Sequence, residues 1–287
     1  MPRILIIGGS RFVGPHLLKL LQQDDSEITV FNRGNHKMDY GTSTYVKGDR
    51  LKDLSKVSNR DFDVVYDMCA YNGKHTQTML DSIKFDFLVH FGTVASYTIP
   101  ISYPVKETQP QGESIWGDYG KGKAECEIVL ANAGIKYTSI RPTYILGARN
   151  YVNRENFIYK GLLTNTEFLV PGNGRALTQF VFVDEVAQSL YLAGKNKVEG
   201  AFNCAGDEYV TLITLLTEMG EIVGKKPIIE FDMKHDREKW DDEIFPFAND
   251  NFIFDNNKIK QELGIKFTPL LDSLKKDWED YYKDNLR

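Results

Sequence analysis

The chain has 287 residues, 42% of them hydrophobic and 26% charged, the balance of an ordinary globular protein with a sizeable core. Its formal net charge of -5 argues against non-specific nucleic-acid binding, and no apolar run approaches the ~20 residues that cross a bilayer. Cys69, Cys126 and Cys204 stand far apart without CxxC spacing, and the five histidines form no ligand motif, so the reading is a cytoplasmic, reduced protein with no metal.

Residues 4–7 are an unbroken apolar run, as expected of a parallel strand buried on both faces. The run is too short for a secretory core and leads straight into glycines, so no signal peptide is read. A helix follows, with Val13, Leu17, Leu20 and Leu21 at helical spacing and Pro15 in its first turn. Strands are predicted over 28–31, 44–46, 64–67 and 87–91. Residues 98–116 carry three prolines and read as a loop. A helix is predicted over 117–133, stopping at Gly134, and a sixth strand over 137–140. Beyond 145 the pattern is less regular, with helices over 156–163, 184–193, 212–223 and 270–282 and strands over 168–170, 180–183 and 201–204. Strands alternating with helices predict an α/β fold, a Rossmann doubly wound parallel sheet with helices on both faces.

The turn Gly8-Gly9-Ser10-Arg11-Phe12-Val13-Gly14 lies between the first strand and the first helix, the context that gives such a motif meaning. Gly8 permits the tight turn and Gly14 a close helix–strand approach. The helix N-terminus offers N–H groups and partial positive charge to a pyrophosphate. Arg11 replaces the usual middle glycine, so its side chain must point away from the pyrophosphate or reach over the adenosine ribose. The second strand ends Asn32-Arg33, where an acidic residue holds the ribose of NAD and an arginine accommodates the 2′-phosphate of NADP. Arg33 and Arg11 therefore favour NADP, with NAD possible; a solvated turn arginine is the plainer reading of Arg33. Asp49 is placed to accept from the adenine amino group, and equally to serve as a turn residue.

Tyr119 and Lys123 are four apart, on one face of the predicted helix. A tyrosine is too weak a base at neutral pH, and a neighbouring ammonium favours its phenolate. The pair suits proton transfer at an alcohol or carbonyl during hydride transfer. Thr93, at the end of the fifth strand, is the hydroxyl chosen to share the substrate oxygen, with Ser96 in reserve. Taken alone the pair is weak, and Gly120 and Gly122 are unfavourable in a helix unless something approaches closely there. His90, inside the fifth strand, reads as a satisfied core histidine.

The order of these motifs resembles the extended short-chain dehydrogenase/reductase family, the NAD(P)-dependent sugar epimerase/dehydratase group. The resemblance extends through Gly48-Asp49, residues 65–70, Phe91-Gly92-Thr93, Arg141-Pro142-Thr143-Tyr144, Val170-Pro171-Gly172-Asn173-Gly174, Phe182-Val183-Asp184 and Phe202-Asn203-Cys204. It implies Tyr119 as acid/base, Lys123 as its partner and cofactor ligand, and Thr93 as hydroxyl donor. It further implies a cofactor loop at Cys69, Ala70 and Tyr71, and Pro142, Tyr144 and Ile145 beside the nicotinamide. The implied domains are a dinucleotide-binding domain over 1–150, rejoined by 176–206, and a substrate subdomain over 151–175 and 207–287. The implied partners are a sugar-nucleotide-like small molecule and a second copy in a homodimer. Thr93-Val94 lacks the acidic residue that 4,6-dehydratases place beside the catalytic hydroxyl, which lowers that reading. The arginine-bearing glycine turn is similar to an atypical subgroup that includes chloroplast stem-loop RNA-binding proteins. An RNA-binding protein or ribonuclease, and a non-catalytic NAD(P)-sensing protein, are the alternatives.

Overall fold

The computed structural model describes residues 1–100, 102–234 and 241–286. In chain order the elements are β1 (Arg3–Ile7), α1 (Val13–Leu21), β2 (Glu27–Asn32), β3 (Thr44–Lys47), β4 (Asp61–Asp67), α2 (Gly73–Ser82), β5 (Lys84–Phe91), α3 (Gly117–Asn132) and β6 (Tyr137–Pro142). They continue with β7 (Tyr144–Leu146), α4 (Glu155–Thr164), β8 (Glu167–Pro171), β9 (Phe180–Phe182), α5 (Val183–Asn196), β10 (Gly200–Cys204), α6 (Leu212–Val223), β11 (Ile228–Asp232), α7 (Asn257–Leu263) and α8 (Leu270–Asp277). The chain divides into two compact units. The first holds Met1–Thr143, Asp184–Cys204 and Asp255–Lys266; the second holds Tyr144–Val183, Ala205–Phe254 and Phe267–Arg287.

The first unit is a seven-stranded parallel sheet in the order β10-β6-β5-β4-β1-β2-β3. Its central strands are apolar on both faces, and Leu5, Val30, Val65, Val89 and Ile140 are fully buried. Met79 and Ile83 from α2 and its end, and Leu130 from α3, pack with Leu5, Val65 and Leu88 in one core cluster. On α5, Tyr191 donates to Asp24, just past α1, at 2.8 Å, and Lys195 pairs with the same carboxylate at 2.9 Å. The register sets Ile7 opposite both Phe31 and Asp67, so β1, β2 and β4 end at one level.

The second unit holds two small parallel sheets, β7–β9 and β8–β11. Its core is aromatic: the Phe247 ring lies 5.0 Å from Tyr144 and 5.1 Å from Phe180. Tyr159 on α4 packs against Trp278 and Tyr282, at 4.9 and 5.1 Å. The predicted helix over 270–282 is α8 continued by a π-helical turn, Trp278–Tyr282.

Three differences from the sequence reading have physical causes. Helix α2 escapes apolar periodicity because it buries only Thr76 and Met79; its start is set by Asn72, whose side chain accepts from the His75 N–H at 3.0 Å. Strand β11 is short, pairs with β8 alone among the described residues and is largely exposed, so it lacks a clear alternation. The assigned domain boundaries also shift. Residues 144–150, 176–183 and 205–206 group with the second unit, and α7 with the first. Lys258 on α7 donates to the Ala201 carbonyl at 3.0 Å and lies over the Phe202 ring at 4.6 Å, contacts that no motif announces.

Candidate functional site

The strand order reverses between β1 and β4, and in open α/β sheets ligands bind beyond the carboxyl ends of the strands at such a point. The glycine turn lies there. Gly8 and Gly9 have φ of 88° and 64°, a region that disfavours side chains. A Cβ on Gly14 would stand 1.8 Å from the Gly9 carbonyl oxygen, so α1 starts directly against the turn. A Cβ on Gly8 would stand 2.7 Å from the Cys69 Sγ, which brings the end of β4 to the same place. Ser10 is half-buried, Val13 is buried, and Phe12 is the N-cap of α1. The N-cap Phe12 makes no side-chain cap hydrogen bond and no acidic residue lies in the first turn, so the helix start and the positive end of its dipole suit an anion.

The residues read as adenosine ligands fall into two groups. Arg11 and Arg33 are exposed, and Arg11 Nη1 lies 3.3 Å from His36 Nε2, so the Arg11 side chain leaves the turn toward the loop that follows β2. Asn32 and Asp49 instead shape their own loops. Asn32 Oδ1 accepts from the Gly34 N–H at 2.9 Å and its Nδ2 donates to the Tyr40 hydroxyl at 3.3 Å. Asp49 Oδ1 accepts from the Leu51 N–H at 2.8 Å, a turn role.

Lys123 is buried, and its Nζ donates to the carbonyl of Ala70 at 3.0 Å and to that of Phe91. These carbonyls follow β4 and end β5, so the ammonium sits across two strand ends. Burial lowers its pKa, opposed by Cys126, Asp67 and Glu127 nearby. Tyr119, one turn earlier on α3, is 47% exposed. The glycines between and beside them mark close approaches. A Cβ on Gly120 would stand 2.4 Å from the Ala95 carbonyl oxygen, and one on Gly122 would stand 2.2 Å from that of Tyr71. The start of α3 thus lies directly on the 69–71 loop and on the turn after Thr93.

Thr93 is buried, and its Oγ1 accepts from the Ala95 N–H at 3.2 Å, capping a short 3-10 turn. Ser96, the reserve hydroxyl, is committed elsewhere: it donates to the Thr93 carbonyl at 2.7 Å and accepts from Gln111 at 2.7 Å. Pro142 ends β6 in the first unit, opposite Cys204. Tyr144 and Ile145 belong to the second unit. The Tyr144 ring is enclosed by Phe180, Phe247 and Phe252, with the Arg154 guanidinium 4.8 Å from its centre. The Ile145 carbonyl accepts from Asn150 and Arg154, at 3.2 and 3.3 Å.

Below Lys123 lies a set of buried charges that the sequence reading did not assemble. Glu127, one turn on, takes Arg141 Nε and Nη2 on its two oxygens and the Ser139 hydroxyl at 2.8 Å. Arg141 Nη1 also donates to the Tyr97 hydroxyl at 2.7 Å, which donates to Asn203 Oδ1 at 2.7 Å. Arg50 and Asp67 form a second buried pair with two 2.8 Å bonds. One signal was available: Asp67 is a charge at the end of the apolar run Val64-Val65-Tyr66. His90 is buried as expected, and burial and Lys123 push its pKa down to about 3. Among the described residues its Nε2 has no hydrogen-bond partner, so the neutral ring is buried but not fully satisfied.

Comparison with known proteins agrees with this frame. The model of the NAD dependent epimerase/dehydratase family matches residues 4–86 and 72–205. The chain is 28% identical, over 92% of its length and 75% of the relative's, to the chloroplast stem-loop binding protein of 41 kDa b of Arabidopsis thaliana. It is 25% identical to the UDP-glucose 4-epimerase of Streptococcus mutans, over 51% of this chain and 53% of that one. Its fold matches the crystal structure of UDP-glucuronic acid 4-epimerase from Bacillus cereus in complex with NAD, with a TM-score of 0.80 and 20% identity over 99% and 100% of the two chains. With a strand-order reversal carrying a glycine turn, a lysine across two strand ends and a family model matching most of its length, the chain belongs to the NAD-dependent epimerase/dehydratase family.

Proposed function

We propose that the protein uses a nicotinamide dinucleotide to interconvert a hydroxyl and a carbonyl on a nucleotide sugar or a similar hydroxylated small molecule, as an epimerase or a reductase. The observation that carries this is the cradle at Gly8 and Gly14, where a side chain has no room and the start of α1 faces the strand-order reversal. Residues 8–14 hold the pyrophosphate, and Arg11 and Arg33 favour NADP over NAD by offering guanidinium groups to a 2′-phosphate. The family and the Bacillus cereus neighbour are described with NAD, so NAD remains the second cofactor to test.

When bound, the nicotinamide supplies hydride exchange. The chain's own residues handle the proton. Tyr119 gives it to, or takes it from, the substrate oxygen, and Thr93 donates a hydrogen bond to that oxygen. Lys123, fixed by two carbonyls, adds positive charge that favours the phenolate and orients the cofactor ribose. The second unit is assigned to substrate recognition. Incubation with a panel of UDP-sugars and either dinucleotide, followed by product NMR, tests the reading. Turnover of one sugar by the wild type, reduced about 10²–10⁴-fold in Tyr119→Phe, is expected.

A second reading is favoured by one observation, the 28% identity to a stem-loop binding protein over 92% of this chain. It places RNA on the same scaffold, against a net charge of -5. Stem-loop binding that survives at physiological salt, with no sugar turned over, would replace the enzyme reading.

A further inference from the structure

The cofactor loop at 69–71 is held on three sides. From the glycine turn, Gly8 lets Cys69 approach, and the thiol faces the Ile7 carbonyl at 3.6 Å. From α3, Lys123 takes the Ala70 carbonyl, and Gly122 lets the Tyr71 carbonyl approach. The third side is the Arg50–Asp67 pair. Arg50 is 8% and Asp67 1% exposed, and two parallel 2.8 Å bonds join them. Both bonds that Arg50 makes beyond its partner end in the loop and the start of α2: Nη1 to the Cys69 Sγ at 3.4 Å and Nη2 to the His75 carbonyl at 2.8 Å. Asp67 Oδ1 also accepts from the Cys69 N–H at 3.2 Å, and His75 Nδ1 accepts from the Tyr71 N–H at 3.2 Å.

A buried ion pair gives little net stability over apolar residues of the same shape, because desolvating both charges offsets their attraction. Stability alone therefore does not account for one at this place. What the pair supplies is direction. A planar guanidinium locked by two parallel bonds aims its remaining donors at fixed points, and a lysine or an apolar side chain cannot. Burial pushes the Asp67 carboxyl up, but the facing Arg50 overrides this and holds it below its ordinary value, so the pair stays charged at neutral pH.

We propose that Arg50 and Asp67 are positioning residues for the dinucleotide, which clamp residues 69–71 against the glycine turn and so set cofactor affinity without touching the cofactor. This rests on the dinucleotide reading above. The clamp also fixes the Ala70 carbonyl that seats Lys123, so it couples the adenosine end of the site to the catalytic helix.

The test uses the full chain as wild type, Arg50→Lys, and the apolar pair Arg50→Met with Asp67→Leu. NADPH and NADH affinities are measured by titration. In parallel, alkylation of each cysteine is followed by mass spectrometry. Cys69 is half-buried beside the clamp, whereas Cys126 and Cys204 are fully buried and report general loosening. Both variants are expected to weaken the tighter dinucleotide by about 10-fold or more, as a small misplacement does. Cys69 should alkylate faster in both, with Cys126 and Cys204 unchanged. Unchanged affinity in both variants would overturn the clamp and leave the dinucleotide reading standing. So would acceleration at all three cysteines, which marks a merely structural pair. Failure of the wild type to bind either nucleotide would remove the dinucleotide reading and the clamp with it.

Discussion

Glu127 in the first unit and Glu155 in the second are buried to a similar degree, 4% and 2% exposed, yet their carboxyls move in opposite directions. Burial pushes both up. At Glu127 the Arg141 guanidinium, with the Ser139 hydroxyl, outweighs burial and holds the group below its ordinary value. At Glu155 the hydrogen-bond partners are neutral, the Gly147 N–H and Asn150 Nδ2, and the carboxyl rises to about 7. A charge-paired carboxylate stays ionised in a core; one held only by neutral donors becomes a group that titrates at physiological pH. In the first unit the paired kind recurs at Asp67, and both pairs flank Lys123 on the sheet that carries the candidate site.

Three substitutions test this contrast, beginning with the largest effect. Glu127→Ala leaves the Arg141 guanidinium buried without its partner and is expected to cost about 3–5 kcal/mol in urea unfolding at neutral pH. A cost near that of an ordinary surface change would mean that the pair does not hold β6 to α3.

Next is the pH dependence of Glu155. Its folded pKa lies above its ordinary 4.5, so its favourable contribution is complete below that value and is lost as pH rises through about 7. Asp67 and Glu127, both lowered, work in the other sense: their contributions are present above the ordinary carboxylate values and are lost as pH falls through the folded ones. Between pH 5 and 8 the Glu155 contribution amounts to a loss on the order of 3 kcal/mol. Glu155→Gln should remove this alkaline slope and leave the acid limb in place. An unchanged slope would place the titrating group elsewhere.

The smallest effect is a control on α3 away from both carboxylates. Gly134 ends the helix with φ of 64° and open space around it, so Gly134→Ala should cost only about 1 kcal/mol, equally at pH 5 and 8.

Much of the first unit was legible because its rules are local. An apolar run, a glycine turn and a helix with proline in its first turn fix β1 and α1 without knowledge of the rest. The helix α3 was found from its ends and its Tyr-x-x-x-Lys spacing, not from its buried face. That face carries Gly120, Lys123 and Glu127 beside Ala124 and Leu130, so apolar periodicity is nearly silent there. The glycines read as unfavourable in a helix are the points where Tyr71 and Ala95 come in. Arg50 and Asp67 were missed because their pairing brings the loop after β3 to the end of β4, 17 residues on, across two intervening strands of the sheet. Asp49 was read as an even choice between ligand and turn, and its Oδ1 is bonded within the turn. In the second unit, short strands and aromatic contacts between distant segments leave little periodic signal.

The central claim is that residues 8–14 and Arg33 hold a nicotinamide dinucleotide. Titration of the purified protein with NADPH and with NADH, followed by intrinsic fluorescence and repeated with Arg33→Ala, tests it most directly. The account predicts saturable binding, tighter for NADPH, with that preference lost in the variant while NADH binding persists. No saturable binding of either nucleotide would contradict it.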